Sequence, residues 1–334
     1  MKKKTLNKNL YPWLIDSYEK ILNNYKNKNK ECFPLFLHSL YNVGEDILCY
    51  TISCWLICSE PNNIKNCGMC YYCKLMQVNS YPDYYEIKLS NKKNDSINLE
   101  NLYCFIDNVY RFPFYGKTKV ISIYYIEFFS KRIIHLISKV LENPPKNTYF
   151  LFVCLKEPLE ELTRIKSYCF YWKIPYPEEK IGLNWLSKKI TNNHYSVFEL
   201  KSALRIYNGS PIKAKNLLQP VLWKKRNMLF SKIKYAIFKK NFLFLLPDFL
   251  KNNAQELILW ILTLLSDSIK QHFAIQNFLI NIDQIKLTQF IVQSYSVNEI
   301  YVQWNNWIKC KKIYYKLDSI NQELLFTNIL LNWK

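Results

Sequence analysis

A cluster of four cysteines constrains the fold of this chain more than any other sequence feature. Cys58, Cys67, Cys70 and Cys73 are spaced as Cys-x8-Cys-x2-Cys-x2-Cys. Four thiolates can close a tetrahedral shell around Zn2+, and two short Cys-x2-Cys steps direct consecutive sulfurs at one ion from a tight turn. The spacing therefore predicts a structural zinc module over residues 58–73, with no open coordination position for chemistry.

Three interpretations of the cluster compete, and bound zinc is the first. An iron–sulfur cluster is the second, because Cys67, Cys70 and Cys73 match part of a ferredoxin run, although the fourth ligand is distant and no Cys-Pro follows. Thiols without a metal are the third. Cys54, one helical turn before Cys58, is an alternative ligand, but its spacing on an apolar helix is more typical of a packed core thiol. The isolated cysteines are predicted core residues: Cys32, Cys49, Cys104, Cys154, Cys169 and Cys310.

Size and charge set the broad class of the protein. A chain of 334 residues with 49% hydrophobic content is long enough for two or three globular domains. Its net charge of +20 favours nucleic acid, an acidic partner or a membrane surface, but the lysines are scattered and an AT-rich genome explains them equally well. The first residues lack an apolar signal core, and no apolar run reaches the roughly 20 residues that span a bilayer. We expect a cytoplasmic protein without a transmembrane helix.

The order of apolar and polar segments predicts an α/β part followed by all-helical parts. Strand-like runs alternate with helical patterns, which is typical of a mostly parallel sheet covered on both faces. The stretch Pro175-Tyr176-Pro177 then punctuates the chain, and only helical patterns follow it. The predicted strands lie at 34–38, 84–89, 119–124 and 148–153, and the predicted helices include 47–58, 185–190, 197–207, 212–218, 256–270 and 319–333. The predicted domains are 1–175, 176–219 and 220–334.

Residues 39–46 lie where a phosphate loop would join the first strand to its helix. A working loop reads Gly-x4-Gly-Lys-Ser/Thr, in which glycines let backbone N–H groups cradle phosphates, lysine meets their charge and the hydroxyl binds Mg2+. Here Ser39 replaces the first glycine, Gly44 is retained, and Glu45 and Asp46 replace the lysine and the hydroxyl residue. Two carboxylates would repel a triphosphate, so no productive ATP binding is expected. An ordinary strand-to-helix turn, unrelated to phosphate binding, would explain the sequence of residues 39–46 equally well.

The acidic residues that hold magnesium and orient water in loop-type ATPases follow a strand such as 119–124. In this chain Tyr124-Tyr125-Ile126 occupies that position. The nearest acid, Glu127, comes two residues later and could cap the following helix instead. The phosphate-binding loop and the acidic magnesium-binding residues of a hydrolytic site are therefore both predicted to be missing.

Taken together, these features resemble the delta prime family of bacterial DNA polymerase III clamp-loader subunits, over nearly the whole chain. The cysteine spacing is the most specific part of the resemblance, and the other motifs appear in the family's order. They are Tyr11-Pro12-Trp13-Leu14, Leu75-Met76-Gln77, Tyr81-Pro82-Asp83-Tyr84-Tyr85, Gly116-Lys117-Thr118-Lys119-Val120, Leu141-Glu142-Asn143-Pro144-Pro145 and Ser319-Ile320-Asn321-Gln322-Glu323-Leu324-Leu325.

The resemblance implies an AAA+ core of RecA-like parallel-sheet type with an inserted zinc module, a small helical lid and a C-terminal helical collar. It implies a non-catalytic stator within the DNA polymerase III assembly, a DNA-directed DNA polymerase. The implied partners are gamma/tau-type and delta subunits in a five-subunit ring. Through that ring the protein would act on the sliding clamp and primed DNA, with no membrane involved.

The chain departs from the family at one functional position. The family's Ser-Arg-Cys supplies an arginine finger to the ATP site of the adjoining subunit, and the matching residues here are Ser167, Tyr168 and Cys169. A trans arginine can supply three to five decades of rate, or roughly 4 to 7 kcal/mol of barrier. We therefore expect this subunit to contribute little to its neighbour's hydrolysis, or to use Arg164 or Lys166 instead.

Two other functions fit parts of the sequence. A stand-alone zinc-ribbon protein could bind DNA through its positive charge and aromatic side chains. A divergent ATPase could use non-standard residues at the phosphate loop. Tight, salt-sensitive DNA binding by the isolated chain would favour the first, and nucleotide binding would favour the second.

Overall fold

The computed structural model describes residues 10–27, 32–39, 42–88, 109–114, 118–155, 160–190, 195–251, 254–316 and 321–333. The chain divides into two compact units, Met1–Tyr176 and Pro177–Lys334. The stretch Pro175-Tyr176-Pro177 lies at this division. The further division of the second unit at residue 219 stays a prediction. Several sequence features fall outside the described residues: the lysine-rich start, Leu40, Tyr41, Cys104, Gly116, Lys117, Ser319 and Ile320.

The first unit is built on a five-stranded sheet in the order β2-β3-β4-β1-β5. Every neighbouring pair is parallel, as the sequence predicts. β3 and β4 are buried along their whole length, which explains their continuous apolar sequences. The strands are β1 Leu35–His38, β2 Tyr84–Lys88, β3 Lys119–Tyr124, β4 Thr148–Cys154 and β5 Phe170–Lys173.

Helices cover this sheet. α2 is buried at ten of its thirteen positions, in keeping with its nearly uniform apolar sequence. α4 instead is amphipathic, and its Ile133, Ile137 and Val140 share a hydrophobic core with Ile121 and Phe150 of the sheet. The helices of this unit are α1 Ile15–Asn27, α2 Glu45–Ile57, α3 Tyr71–Gln77, α4 Lys131–Glu142 and α5 Glu160–Tyr168, with 3-10 turns at Pro12–Leu14 and Ile126–Phe128.

The carboxyl ends of the parallel strands meet at one edge of the sheet. The β1–β4 register pairs His38 with Cys154, and the Ser39 N–H donates to the Cys154 carbonyl at 2.9 Å. The Tyr125 N–H donates to the carbonyl of Val153, the β4 residue that precedes Cys154, at 2.8 Å. The segments after β1, β3 and β4 are thereby held together, where ligands bind in open α/β sheets.

In its described residues the second unit contains helices and connecting turns but no strand, as the sequence predicts. A single core contains the buried tryptophans Trp223, Trp260 and Trp307. In the described part of the chain, none of the helices is both long and apolar enough to cross a bilayer. The helices are α6 Glu179–Lys189, α7 Val197–Ile206, α8 Pro211–Leu217, α9 Pro220–Lys239, α10 Leu246–Lys251, α11 Ala254–His272, α12 Ile285–Ser294, α13 Val297–Lys316 and α14 Gln322–Leu331, with 3-10 turns at Leu243–Leu245 and Ile282–Gln284.

A buried ionic network lies inside this unit. Arg226 of α9 is fully buried, and its guanidinium donates to both carboxylate oxygens of Asp283 at 2.6 and 3.0 Å and to Asn281 Oδ1 at 2.8 Å. The Asp283 N–H donates to Ser202 Oγ of α7 at 3.1 Å. Asp267 of α11 accepts the N–H of Asn281 at 2.6 Å. The network links α7, α9, α11 and the 282–284 turn.

Candidate functional site

The four predicted metal-ligating cysteines converge in the first unit. Their sulfur atoms all lie within 4.8 Å of one another, with Cys58 Sγ 3.5 Å from Cys67 Sγ and Cys67 Sγ 3.9 Å from Cys73 Sγ. A tetrahedral shell with Zn–S bonds of about 2.3 Å places sulfurs about 3.8 Å apart. The cluster, completed by Cys70, therefore fits a four-coordinate metal ion, and Cys54 is a separate buried thiol.

Backbone N–H groups surround the sulfurs as they do in metal knuckles. The N–H of Cys67 donates to Cys58 Sγ at 3.3 Å, that of Cys70 to Cys67 Sγ at 3.3 Å, and that of Cys73 to Cys70 Sγ at 3.4 Å. Burial would raise the pKa of Cys70, but hydrogen bonds from Ser59 and from the Cys73 N–H outweigh it and lower that pKa to about 6. These donors stabilise the thiolate of Cys70, the form that binds metal, whereas burial raises the pKa values of Cys58 and Cys73.

The cysteine loop is attached to the helices around it by side-chain hydrogen bonds. Tyr18 of α1 donates to the carbonyl of Ile64 at 2.8 Å, and Trp55 Nε1 of α2 donates to that of Asn63 at 3.1 Å. The Tyr50 hydroxyl of α2 donates to the carbonyl of Met76 in α3 at 2.8 Å. These contacts attach the middle of the cysteine loop to α1 and α2, and they attach α3 to α2.

At the phosphate-loop position, the Glu45 carboxylate fills the place of an anion. Its Oε2 accepts the N–H groups of Val43 at 2.9 Å and Gly44 at 3.1 Å, and the side chain is only 3% exposed. Burial is the largest influence on this carboxyl and raises its pKa, although the N–H groups it accepts lower it in part. The N–H groups of Val43 and Gly44, in the turn that leads into α2, are thus already satisfied by the chain itself.

Aromatic residues close over the same turn. Gly44 has a φ of +100°, and a Cβ atom there would lie 2.5 Å from the ring of Tyr11. Tyr11 stacks on Trp13 with centroids 4.8 Å apart, and Trp13 Nε1 donates to the Val43 carbonyl at 2.7 Å. The segment Tyr11–Trp13 was noted in the sequence only as part of the family resemblance. Its packing against Gly44 could not be read from spacing.

The remaining acids of this edge are also engaged within the protein. The Tyr125 hydroxyl donates to the Asp46 carboxylate at 3.1 and 3.4 Å, and burial raises the pKa of Asp46. Glu127 accepts the N–H of Leu155 at 3.1 Å. It therefore holds the end of β4 instead of capping the following helix, which was the sequence-based alternative. Ser39 is buried at the end of β1.

The arginine-finger position lies at the end of α5. Tyr168 is the last residue of the helix and is 39% exposed, while the Ser167 hydroxyl donates to the Arg164 carbonyl at 2.7 Å. Burial raises the pKa of the Cys169 thiol well above its usual range. Arg164 Nη2 lies 2.6 Å from Glu142 Oε1. The Arg164 guanidinium is therefore paired with a carboxylate of its own unit.

Lys166 also has a partner within the unit. Its Nζ lies 3.9 Å from the centroid of the Tyr171 ring, and the Tyr171 hydroxyl is 2.6 Å from His38 Nδ1. Arg164 and Lys166 both lie on α5, the helix that directly precedes β5, and the Arg164 side chain is about half exposed.

The structural class of the protein is α/β followed by all-α. A five-stranded parallel-sheet unit that carries a four-cysteine cluster, followed along the chain by a helical unit, fits the architecture that the resemblance to the delta prime family implies.

Comparison with known proteins gives the family. Residues 16–178 match the family described as DNA polymerase III, delta subunit, and residues 220–334 match DNA polymerase III, delta subunit, C terminal. A delta prime subunit from Buchnera aphidicola subsp. Schizaphis graminum is 33% identical over 97% of both chains. One from Yersinia pestis is 32% identical over 98% of this chain and 96% of its own. The chain belongs to the family of DNA polymerase III delta prime subunits.

Two further proteins are more distantly similar to this chain. The delta prime subunit of Escherichia coli strain K12 is 28% identical over 96% of this chain and 94% of its own length. A solved DNA polymerase III gamma subunit-related protein from Thermotoga maritima is 17% identical, covers 95% of this chain and 97% of its own, and has a TM-score of 0.49.

Proposed function

We propose that this protein is a stator subunit of a clamp loader: it takes part in loading the sliding clamp onto primed DNA and does not itself hydrolyse ATP. Membership of the delta prime family supports the assembly role. The observation that carries the non-catalytic part is the Glu45 carboxylate, which accepts the N–H groups of Val43 and Gly44. Its partners would be gamma/tau-type and delta subunits, in a ring of five. No contact among the described residues favours the stand-alone DNA-binding alternative.

The physical basis is competition for the same donors. A nucleotide phosphate at this turn needs the N–H groups that Glu45 already accepts, and it would approach two carboxylates, Glu45 and Asp46, in place of an ammonium group. Unlike charges at 4 Å attract by about 4 kcal/mol at an effective dielectric of 20, and like charges repel by the same amount. A repulsive term of this size opposes productive binding of a triphosphate.

The test has two parts, both made with the full chain. Titration with a fluorescent ATP analogue should give no saturable binding, and the chain mixed with loader subunits, clamp and primed DNA should support ATP-dependent clamp loading. ATP turnover by the purified chain that the variant Gly44→Ala abolishes would contradict the non-catalytic role. Failure of the chain to join the other loader subunits would contradict the stator role.

We propose Zn2+ as the ion of the four-cysteine cluster, with Cys58, Cys67, Cys70 and Cys73 as its ligands. The sulfur separations and the all-thiolate donor set support a tetrahedral ion. When bound, zinc would supply a structural cross-link. Metal analysis of the purified protein should give one zinc per chain, and a brown protein absorbing near 400 nm would identify an iron–sulfur cluster instead.

We propose that the Tyr168 position supplies no cation to a neighbouring ATP site, because Arg164 and Lys166 are held by Glu142 and Tyr171. In a reconstituted loader, Arg164→Ala and Lys166→Ala should change the ATPase rate by less than about twofold. Tyr168→Arg should raise that rate, because a trans arginine supplies up to about 10³–10⁵ of acceleration. A tenfold fall in either alanine variant would identify that residue as the substitute cation.

A further inference from the structure

The outer side of the cysteine module carries large exposed apolar side chains. α3 buries Cys73 and Met76 on its inner side, while Tyr71 is 58% exposed and Val78, which follows the helix, is 65% exposed. Leu75 lies between them at four- and three-residue spacing, so the three side chains form one stripe along the helix. The helix is therefore apolar on both sides, whereas the outer side of a surface helix is normally polar.

Met69 adds a fourth apolar side chain at the tip of the module and is 82% exposed. It stands between two of the cysteines, and the Cys70 N–H donates to Cys67 Sγ at 3.3 Å. Gln77 Nε2 donates to the carbonyl of Gly68, the residue before Met69, at 3.1 Å. The tip is thus fixed both to the cysteine cluster and to the end of α3. A partner that binds here meets a pre-organised surface, so little conformational entropy is lost on binding.

The charge of this region limits the chemistry of an occupant. Lys74 is exposed on the same side of α3, three residues after Tyr71 and four before Val78. A carboxylate of the occupant would pair with Lys74 while apolar side chains cover the rest. Residues 58–78 contain no arginine and only two lysines, so they lack the row of cations that a nucleic-acid backbone needs. We call the four apolar residues and this lysine the module surface: Met69, Tyr71, Lys74, Leu75 and Val78.

The size of the module surface limits the kind of partner. A protein–protein interface that is stable by itself uses about 20–30 residues on each side. Five side chains are too few to hold a second protein, or a second copy of this chain, without further contacts. They suit a secondary contact with a protein that is already held elsewhere. Within the proposed function, the proteins held in this way are the other loader subunits.

α2 separates the module from the phosphate-loop turn. The helix begins at Glu45, and its 13 residues, about 20 Å long, lead to Cys58, the first cysteine of the cluster. A contact at the module surface is therefore distinct from any contact made at the carboxyl edge of the sheet.

We infer that the module surface is a docking site for a segment of another loader subunit that is apolar and carries at least one carboxylate. The inference rests on the proposed function, in which the chain assembles with those subunits. It gives the cysteine module a role beyond closing its own loop. The cysteine cluster fixes the tip, α3 presents the apolar stripe, and Lys74 pairs with the carboxylate of the partner segment.

Site-specific photo-crosslinking tests the location. Benzoyl-phenylalanine placed at Tyr71 of the full chain should crosslink, within the reconstituted loader, to a segment of another subunit that combines apolar side chains with carboxylates. The matched control carries the same group at Lys139, an exposed position of α4, and should not crosslink to that segment. Crosslinking from Tyr71 to DNA or to the sliding clamp, or to no partner in an assembled loader, would overturn the inference.

Two variants of the module surface test the energetics. Val78→Asp places a charge in the apolar stripe and should weaken association with the other loader subunits about five- to 30-fold, the loss expected when an interface contact is removed. Lys74→Glu should weaken it about three- to fivefold at low salt and less at high salt, because rim charges are screened. The matched control, Lys139→Glu, makes the same charge change on α4 and should alter the affinity by less than about twofold.

Metal analysis and assembly separate the outcomes. Both substituted side chains are exposed, so each variant should keep the metal content of the wild type, which shows that the cysteine module is intact. Wild-type affinity in both Val78→Asp and Lys74→Glu would overturn the assignment of the module surface while leaving the loader role intact. No assembly by the wild-type chain would overturn the proposed function itself.

Discussion

The buried ion pair between Arg226 and Asp283 gives the most quantitative prediction about this fold. The change Asp283→Asn keeps the shape of the side chain and removes its charge. Arg226 would then be a fully buried guanidinium, held between the rings of Trp223 and Phe230 at 4.6 Å each, with no carboxylate within its hydrogen-bonded set. Removing one partner of a buried pair costs about 3–5 kcal/mol.

We expect a loss near the lower limit, about 3 kcal/mol, because Asn can still accept one hydrogen bond. A loss of that size raises the population of locally open states about 150-fold. Hydrogen-exchange mass spectrometry of peptides from 220–239 should therefore show exchange about 150-fold faster in the variant. The matched control is Lys232→Gln on the same helix, whose pair with Asp248 at 2.7 Å is partly exposed. It should cost no more than about 1 kcal/mol.

The stability that Asp283 contributes should also depend on pH. Burial would raise the pKa of Asp283, but the hydrogen bonds and charge of Arg226 outweigh it and lower the pKa below its ordinary value. The folded-state pKa therefore lies below the unfolded one, so the stabilisation is present above the unfolded pKa and is lost as pH falls through the folded pKa. Asp283→Asn should lack this acid-dependent loss. Equal exchange rates in Asp283→Asn and Lys232→Gln would refute the reasoning.

Three shorter predictions concern the two sites of the first unit. Burial raises the folded-state pKa of Glu45, so wild-type stability falls as pH rises from the ordinary value of 4.5 through that raised pKa; relative to Glu45→Gln, urea unfolding should show the wild type losing stability above about pH 4.5, and parallel curves would contradict this. Gly44→Ala should destabilise the fold more than Gly68→Ala in the same assay, since both have positive φ but only Gly44 faces a ring at 2.5 Å; equal losses would count against the Tyr11 contact. Chelation of the proposed zinc ion under reducing conditions should speed proteolysis within 58–73 and spare the second unit, whereas unchanged cleavage would argue against a structural ion.

The sequence predicts the parallel sheet, four of its five strands and the helical second unit, because periodicity and strand composition are local signals. β5, Phe170–Lys173, escapes prediction because it is an edge strand with no fully buried residue, whereas the equally short β1 is buried throughout and has a continuous apolar run. The cysteine cluster is readable because two Cys-x2-Cys steps restrict the backbone to a tight turn. The contacts of Gly44 and Asp46 with aromatic rings are not readable in this way. The rings of Tyr11 and Tyr125 come from segments distant in sequence, and only tertiary structure brings them to the phosphate-loop turn.

The replacement of lysine by glutamate at position 45 has a structural consequence beyond the loss of a cation. The first N–H groups of a helix have no intrahelical partner, and in a nucleotide-binding turn the phosphate accepts them. A chain that binds no nucleotide must satisfy those donors in another way or bear the cost of leaving them buried. Here Glu45 accepts the N–H groups of Val43 and Gly44, in the turn that leads into α2, through one carboxyl oxygen. Under the proposed non-catalytic role, the substitution that opposes ATP binding therefore also holds this turn in the absence of ATP, as a subunit of fixed, nucleotide-independent shape requires.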